Sequence, residues 1–259
     1  MALITGGGSG IGLATAHRIA AEGGRVVLAD VNAEALEAAV GSLGGADAAV
    51  GVPTDVTVET EIEGAVAAAV ERLGGIDIAV NGAGIGTLAP IQDHPVEEWD
   101  RVLDTNLRGV FLSVKHEARA MLAGGAGRGV IVNIASLNAR QAAEGMVAYC
   151  AAKAGVAMLT EVAAMELGRH GIRVVGVGPG LVETPLTTFA RELPQIQEAY
   201  LDNTPLGRTG TTDDISAAIC WLASDEASWV SGDTLYVDGG AHTRQYPRFF
   251  DLLAPPPPS

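Results

Sequence analysis

Short apolar runs alternate with longer amphipathic stretches from the first residue to about position 240. The runs are 1–4, 25–29, 48–53, 76–80, 130–134, 172–177 and 234–237. Each is too short for a helix and apolar at nearly every position, the pattern of strands covered on both faces. Between them, apolar residues recur at helical spacing. One such stretch passes through Ala14, Ile19 and Ala20 and stops at Gly23-Gly24; the others are 33–42, 58–73, 97–123, 147–167 and 213–222. The helix from Val58 is rich in glutamate in its first turn, where the helix dipole favours negative charge. Strands alternating with helices predict an α/β fold: one doubly wound domain over 1–240, a parallel seven-stranded sheet with helices on both faces. Right-handed crossovers bring the C-terminal ends of the strands to one edge, where open sheets of this kind bind ligands. Thr5, Asp30, Asp55, Asn81, Ser136 and Pro179 fall at or just past those ends.

Two segments stand outside the alternation. Residues 184–204 are polar and irregular and are expected to form a lid over a substrate. Residues 241–259 form a tail that carries Tyr246, Phe249, Phe250, Leu252 and Leu253 and ends in Ala254 and the run Pro255 to Pro258. In a chain whose aromatic content is 4%, such a cluster is expected to be buried. Large apolar side chains gain roughly 1.5–3 kcal/mol each on burial. An oligomer interface is the expected place, with a fold back onto the chain's own surface as the alternative.

The first strand runs into Thr5-Gly6-Gly7-Gly8-Ser9-Gly10-Ile11-Gly12, then a helix, a second strand and Asp30. Strand, glycine turn, helix, strand and acid make the Rossmann-type dinucleotide-binding unit, here with Gly6, Gly10 and Gly12 in place of the usual G-x-G-x-x-G. The glycines let backbone approach a pyrophosphate at the positive end of the helix. Asp30 is placed to accept hydrogen bonds from the adenosine ribose. It would also repel a 2′-phosphate, and Val31 and Ser9 offer no cation to receive one, so NAD is the expected cofactor.

Tyr149 and Lys153 lie four apart in the 147–167 helix, hence on one face. An ammonium beside a phenol favours the phenolate, so the pair suits proton exchange with a carbonyl or alcohol oxygen. Lysine is otherwise represented only by Lys115.

Composition narrows the class. The chain has 259 residues, 48% hydrophobic, with no apolar run expected to span a membrane and no signal peptide expected before the first motif. The net charge of −15 disfavours nucleic acid and anionic membrane surfaces as partners. Cys150 and Cys220 have no metal or C-x-x-C spacing, which fits free thiols in a reducing cytoplasm, and Cys150 reads as a small buried filler. His94, His116, His170 and His242 show no metal spacing and are read as solvated or capping; His17 is read as structural. No metal is expected.

The chain resembles the short-chain dehydrogenase/reductase family from Met1 to about Gly240. The motifs appear in order: Thr5-Gly6-x-x-x-Gly10-x-Gly12, Asp55, Asn81-Gly82-Ala83-Gly84, Asn106, Ser136, Tyr149-x-x-x-Lys153, and Pro179-Gly180 with Thr184. The glycine spacing and length resemble the compact oxidoreductases of that family rather than its epimerases and dehydratases. The chain departs from the common pattern at Gly82, Ala152 and Gly176, none of which removes a catalytic group.

The resemblance implies a catalytic set of Asn106, Ser136, Tyr149 and Lys153. Tyr149 would be the acid or base, Ser136 would orient the substrate oxygen, and Lys153 would tune Tyr149 and hold the nicotinamide ribose. Asn106 would position a water linking Lys153 to solvent. Read on their own, Ser136 suits a strand-end cap equally well, and Asn106 a helix-interior residue bonded to backbone. The implied cofactor contacts are Gly6, Ser9, Gly10, Ile11, Gly12, Asp30, Asp55, Val56, Asn81, Gly82, Ala83, Gly84, Tyr149, Lys153, Pro179, Gly180, Val182 and Thr184. Asn138, Glu144, Met146, Leu181 and Val182 flank the catalytic residues and are candidates for the substrate pocket. By the same resemblance the two helices around Asn106 and Tyr149 pair with another protomer and the last strand with a third, giving a homotetramer.

The expected activity is NAD-dependent interconversion of a small secondary alcohol and a ketone. One alternative is an NADPH-dependent 3-oxoacyl reductase. Its acidic carrier protein would be repelled by this acidic chain unless Arg128 and Arg169 formed a local patch. The other is a non-catalytic dinucleotide-binding regulator, whose signature would be a missing member of the catalytic set.

Overall fold

The computed structural model describes residues 1–45, 48–124 and 128–253; the expectations for Ala254 and Pro255 to Pro258 lie outside them. Seven parallel strands form one sheet in the order β3-β2-β1-β4-β5-β6-β7. They are β1 Ala2–Thr5, β2 Val26–Asp30, β3 Ala49–Pro53, β4 Ile78–Asn81, β5 Gly129–Ile134, β6 Ile172–Pro179 and β7 Thr234–Val237. The order reverses between β1 and β4, so a crevice opens beyond their C-terminal ends.

Both sheet faces are covered, which explains the unbroken apolar runs. Ala2, Ile4, Val26 and Leu28 face one core, closed by α1 (Gly10–Ala21), α2 (Ala33–Ser42) and α9 (Thr212–Ala223). Leu3, Val27, Ala29 and Val174 face the other, closed by α3 (Glu59–Leu73), α5 (Gly109–Ala123) and α6 (Val147–Leu167). Alternate residues of one strand therefore serve opposite cores, as the period of two requires.

The expected single helix over 97–123 is interrupted. An α-helix, α4 (Val96–Leu103), passes into a π-helical turn, Asp104–Arg108, before α5 resumes. Asn106 sits inside that turn with its amide bonded twice to the main chain of Ile85. Such local widening of a helix is typical of functional sites.

The lid is not irregular. It holds a 3-10 turn, Pro185–Thr187, then α7 (Thr188–Glu192) and α8 (Pro194–Asp202). Pro185 and Pro194 suggest breaks by composition, yet both occupy the first position of a helical turn, where a missing N–H costs nothing.

Part of the tail folds back onto the chain's own surface, the alternative to the expected interface, while Phe250 and Leu253 stay exposed. A 3-10 turn (Ala241–Thr243) leads to α10 (Phe249–Leu253). Tyr246 and Phe249 are buried in a small cluster with Leu137, Ile196 and Tyr200. Tyr246 and Phe249 thus find cover against Ile196 and Tyr200 of the 184–204 segment.

The stretch Val147–His170 would pass for a membrane span by length and mean hydropathy of 1.3, contrary to the reading from composition. Its catalytic face is packed against the sheet: Tyr149, Ala152, Lys153, Val156 and Thr160 are buried.

Candidate active site

A cleft of about 1030 Å³ runs along the C-terminal edge of the sheet, and Gly6, Ser9, Gly10, Ile11 and Gly12 line one end. The turn requires its glycines. Gly6 has φ +66°, and a Cβ there would lie 2.7 Å from the Ala83 nitrogen. A Cβ on Gly12 would lie 2.2 Å from the Gly6 carbonyl oxygen. The turn delivers the N-terminus of α1 to the cleft with no side-chain cap on it, leaving its first N–H groups for an anion. Thr184, at the root of the lid, faces Gly10: a Cβ on that glycine would meet its methyl at 3.5 Å.

Asp30 ends β2 in the same cleft, accepting from the N–H groups of Gly8 and Asn32 at 3.0 Å each. Asp55 accepts from the N–H and hydroxyl of Thr57. Val56, Gly82, Ala83, Gly84, Pro179, Gly180, Val182 and Thr184 line the cleft as expected. Uncapped N–H groups, a glycine cradle and Asp30 fit a nicotinamide dinucleotide stretched along the edge.

Asn81 does not line the cleft. Its amide donates to Glu117 and Asn133, both at 3.0 Å, inside the core between β4, β5 and α5. The strand ends at Asn81 itself, so the pleat turns its side chain inward, and the turn beyond it supplies the cleft lining instead.

Ser136, Tyr149 and Lys153 converge at the middle of the cleft. Ser136 follows β5; its hydroxyl accepts from the Asn138 N–H at 3.1 Å, faces the Asn138 amide oxygen at 3.4 Å, and by its nearness favours the ionised Tyr149 phenol. It is therefore both a cap and a partner of the phenol. Lys153 is buried, and its ammonium donates to the Ile134 carbonyl at 2.7 Å. Burial pulls Lys153 down to about 8. Burial raises Tyr149 above its ordinary value, and Ser136 offsets part of that. In the protein alone the phenol is thus not depressed as its spacing from Lys153 suggests, because the ammonium is turned to Ile134 and lies 5.7 Å from the ring centroid.

Asn106 is fully buried, and its amide gives one hydrogen bond to and accepts one from the main chain of Ile85, matching the backbone-bonded reading. It still lies beside the lysine: a Cβ built on Gly84 would be 3.3 Å from the Asn106 oxygen and 3.8 Å from the Lys153 ammonium.

A second cavity, about 320 Å³, opens from the first. The two share Ser136, Tyr149, Pro179, Gly180, Leu186 and Thr187. Asn138, Met146 and Leu181 line it as expected. Val182 lines the cofactor cleft instead, and Glu144 lies outside, 3.7 Å from Arg248 of the tail. Sequence reasoning missed Leu137, Ile196, Tyr200, Tyr246 and Phe249. The pair Ile196 and Tyr200, four apart, was the available signal for a helix in the lid.

Other residues fall away from the site. His116 is buried, not solvated, and meets Glu59 at 3.0 Å and Glu63 at 3.6 Å. Those three bring ligand atoms within 4.8 Å of one another, but Lys115 already neutralises Glu59, whose carboxyl is held down to about 2. His94 keeps both ring nitrogens without a partner among the described residues, while His242 meets the Asp238 carboxylate at 2.9 Å. His17 accepts or donates to Ser42 at 3.1 Å. Cys150 and Cys220 are free and only partly buried; burial lifts both thiols, Cys220 to about 11.

A family profile described as "Enoyl-(Acyl carrier protein) reductase" matches residues 6–242. A trans-4-hydroxycyclohexanecarboxylate dehydrogenase from Sinomonas cyclohexanicum is 42% identical over 248 residues, 93% of this chain and 92% of that protein. A D-threitol dehydrogenase from Mycolicibacterium smegmatis is 41% identical over 241 residues, 93% of this chain and 92% of that one. A short-chain dehydrogenase/reductase solved from Mycobacterium ulcerans is similar with a TM-score of 0.93 and 36% identity, covering 97% of this chain and 93% of that chain.

Proposed function

The chain belongs to the short-chain dehydrogenase/reductase family and is an oxidoreductase of secondary alcohols and ketones; from that premise we propose that it uses NAD, with Tyr149 as the acid or base. One observation carries the proposal: Tyr149 and Ser136 both stand at the seam shared by the two cavities. An oxygen entering from the smaller cavity meets both hydroxyls there.

Bound along the cleft, a nicotinamide dinucleotide supplies or accepts the hydride. Ser136 orients the substrate oxygen and stabilises charge on it. Tyr149 gives its proton to that oxygen in reduction and takes it back in oxidation. Lys153 would hold a positive charge near the phenol and bind the nicotinamide ribose. Asn106 fixes the Ile85 segment beside Lys153 and, with the π-turn, sets the wall of that part of the cleft.

NAD rather than NADP is supported by the cleft's charges. Asp30 occupies the ribose end, and Glu97, Asp100 and Asp104 line the flank. The cations among the lining residues are Lys153, at the chemistry, and Arg101, whose guanidinium already grips Glu98 at 2.7 Å. An added 2′-phosphate would meet negative charge with no free partner.

A homotetramer in the cytoplasm completes the proposal. Phe111 and Leu122 of α5 and Met158, Val162 and Met165 of α6 are exposed. Trp229, before β7, is 99% exposed, and Leu235 of β7 is also open to solvent. Two separate apolar patches suit two interfaces and dihedral closure. The two free thiols suit a reducing compartment. The cofactor test is direct: turnover of a secondary alcohol with each oxidised cofactor, where a kcat/KM favouring NADP would overturn the assignment and revive the 3-oxoacyl reductase alternative.

A further inference from the structure

The smaller cavity carries no charged side chain among its described lining residues. Leu88, Leu137, Met146, Ile196 and Phe249 make it apolar, and at about 320 Å³ it sits at the low end for small-molecule sites. A carboxylate or phosphate placed there would lose its water without gaining a cation.

Its wall is polar at a further point besides Ser136 and Tyr149. The hydroxyls of Tyr200, from the lid, and Tyr246, from the tail, are hydrogen-bonded to each other, and the rings meet edge-on with centroids 5.3 Å apart. The two hydroxyls hold two protons but share one bond, so one proton is left over, and the acceptor nearest to it among the described residues is the Met146 sulfur, 3.8 Å from the Tyr246 oxygen. A thioether is a weak acceptor, so this buried donor is poorly satisfied and would gain from a ligand oxygen.

The tail that brings Tyr246 is tied to the segment just before the catalytic helix. Gln141 donates to the Arg244 carbonyl, Glu144 faces Arg248, and a Cβ on Gly145 would lie 3.2 Å from Phe250. The tail is therefore a fixed wall of the pocket, anchored beside Tyr149.

We propose that the substrate is a compact, uncharged ketone or alcohol of about the size of a six-membered ring, bearing a second oxygen opposite the reacting one, and that Tyr246 and Phe249 select it. The reacting oxygen meets Ser136 and Tyr149, the second oxygen accepts from Tyr246, and Phe249 covers the ring between them. This rests on the oxidoreductase reading above and narrows its substrate.

The test compares three ketones with the purified full chain and reduced cofactor: cyclohexanone, the cyclohexanedione with opposed carbonyls, and the cyclohexanone bearing a carboxylate at that far position. The expected order of kcat/KM is dione, then cyclohexanone, then carboxylate, with about tenfold between the first two. Tyr246→Phe should bring the dione-to-cyclohexanone ratio close to one, through KM, with the melting temperature and NAD affinity held. Phe249→Ala should raise KM for both neutral ketones and admit bulkier ones. The inference is overturned if the carboxylate is reduced as well as the dione, if Tyr246→Phe leaves the ratio unchanged, or if only charged or long-chain ketones react; the oxidoreductase reading survives each of these. Absence of hydride transfer with every ketone and secondary alcohol in a broad screen sinks both.

Discussion

Lys153 gives its proton donor to the Ile134 carbonyl at 2.7 Å while its ammonium stands 5.7 Å from the ring centroid of Tyr149. The charge is thus parked beside the phenol rather than bonded to it. The largest influence on the free phenol is its own burial, and the nearest relief is Ser136.

Tyr149→Phe removes the proton and almost no volume. Turnover should fall roughly 10²–10⁴-fold with NAD affinity nearly intact. Titration of NAD binding beside steady-state rates reads this; a loss of tenfold or less, about 1.4 kcal/mol, would exclude Tyr149 as the acid or base.

Lys153→Met should separate stability from activity. The folded value of about 8 lies below the ordinary lysine value of 10.5, so the unfolded chain binds the proton more tightly and stability rises as pH climbs from about 8 to 10.5. At neutral pH the charged form is a cost. After allowing for the orphaned Ile134 carbonyl, removing the charge should raise stability by roughly 1–2 kcal/mol while chemistry and cofactor affinity both fall. Denaturant titration at pH 7 checks the first half; a destabilised variant would contradict it.

Glu117 should make the wild-type protein less stable as pH rises. It is fully buried, raised to about 7 by burial, and bonded only to the Asn81 amide. Among the described residues its second oxygen and the Asn81 oxygen have no hydrogen-bond partner. Its folded value is above its unfolded one, so the stability held near pH 4.5 is lost as pH climbs to about 7, by roughly 3 kcal/mol. Glu117→Gln supplies a permanent donor and should flatten that dependence. Melting temperatures of the two proteins between pH 5 and 8 should converge at the acid end; parallel curves would show that Glu117 does not titrate there.

Asp30→Ala together with Val31→Arg should shift preference from NAD towards NADP by at least about tenfold in kcat/KM, since one like charge leaves and one cation arrives. An unchanged ratio would mean that the 2′ position lies elsewhere.

Met165→Glu should weaken the proposed tetramer. The residue is 76% exposed on α6, among apolar neighbours, and a buried unpaired carboxylate at an interface is costly. Light scattering at micromolar concentration should report a smaller species for the variant. A wild-type monomer would refute the assembly outright.

The sheet, its order of elements and the cofactor edge were legible because strands buried on both faces leave unbroken apolar runs, and because glycines without room for a Cβ mark the turn. Ser136, Tyr149 and Lys153 were legible through spacing and motif. What was hidden depended on contacts between distant segments. Asn81 turns inward because of where β4 ends, which local pattern fixes only to a residue or two. Glu144 tethers the tail rather than lining the pocket. The lid's prolines look like breaks although they begin helices. The tail's aromatic residues signalled burial, but not which surface would receive them.

The smaller cavity takes much of its lining from two pieces, 185–202 and 241–253, that contribute no strand to the sheet. Leu186 and Thr187 of the first piece also line the dinucleotide cleft, while Phe189, Ile196, Tyr200, Tyr246 and Phe249 line the smaller cavity alone. Changes confined to these pieces can therefore exchange one alcohol for another without disturbing either core or the proton path. In an inherited lineage, selectivity is free to diverge at the lid and the chain's end while the reaction itself is held constant by the sheet.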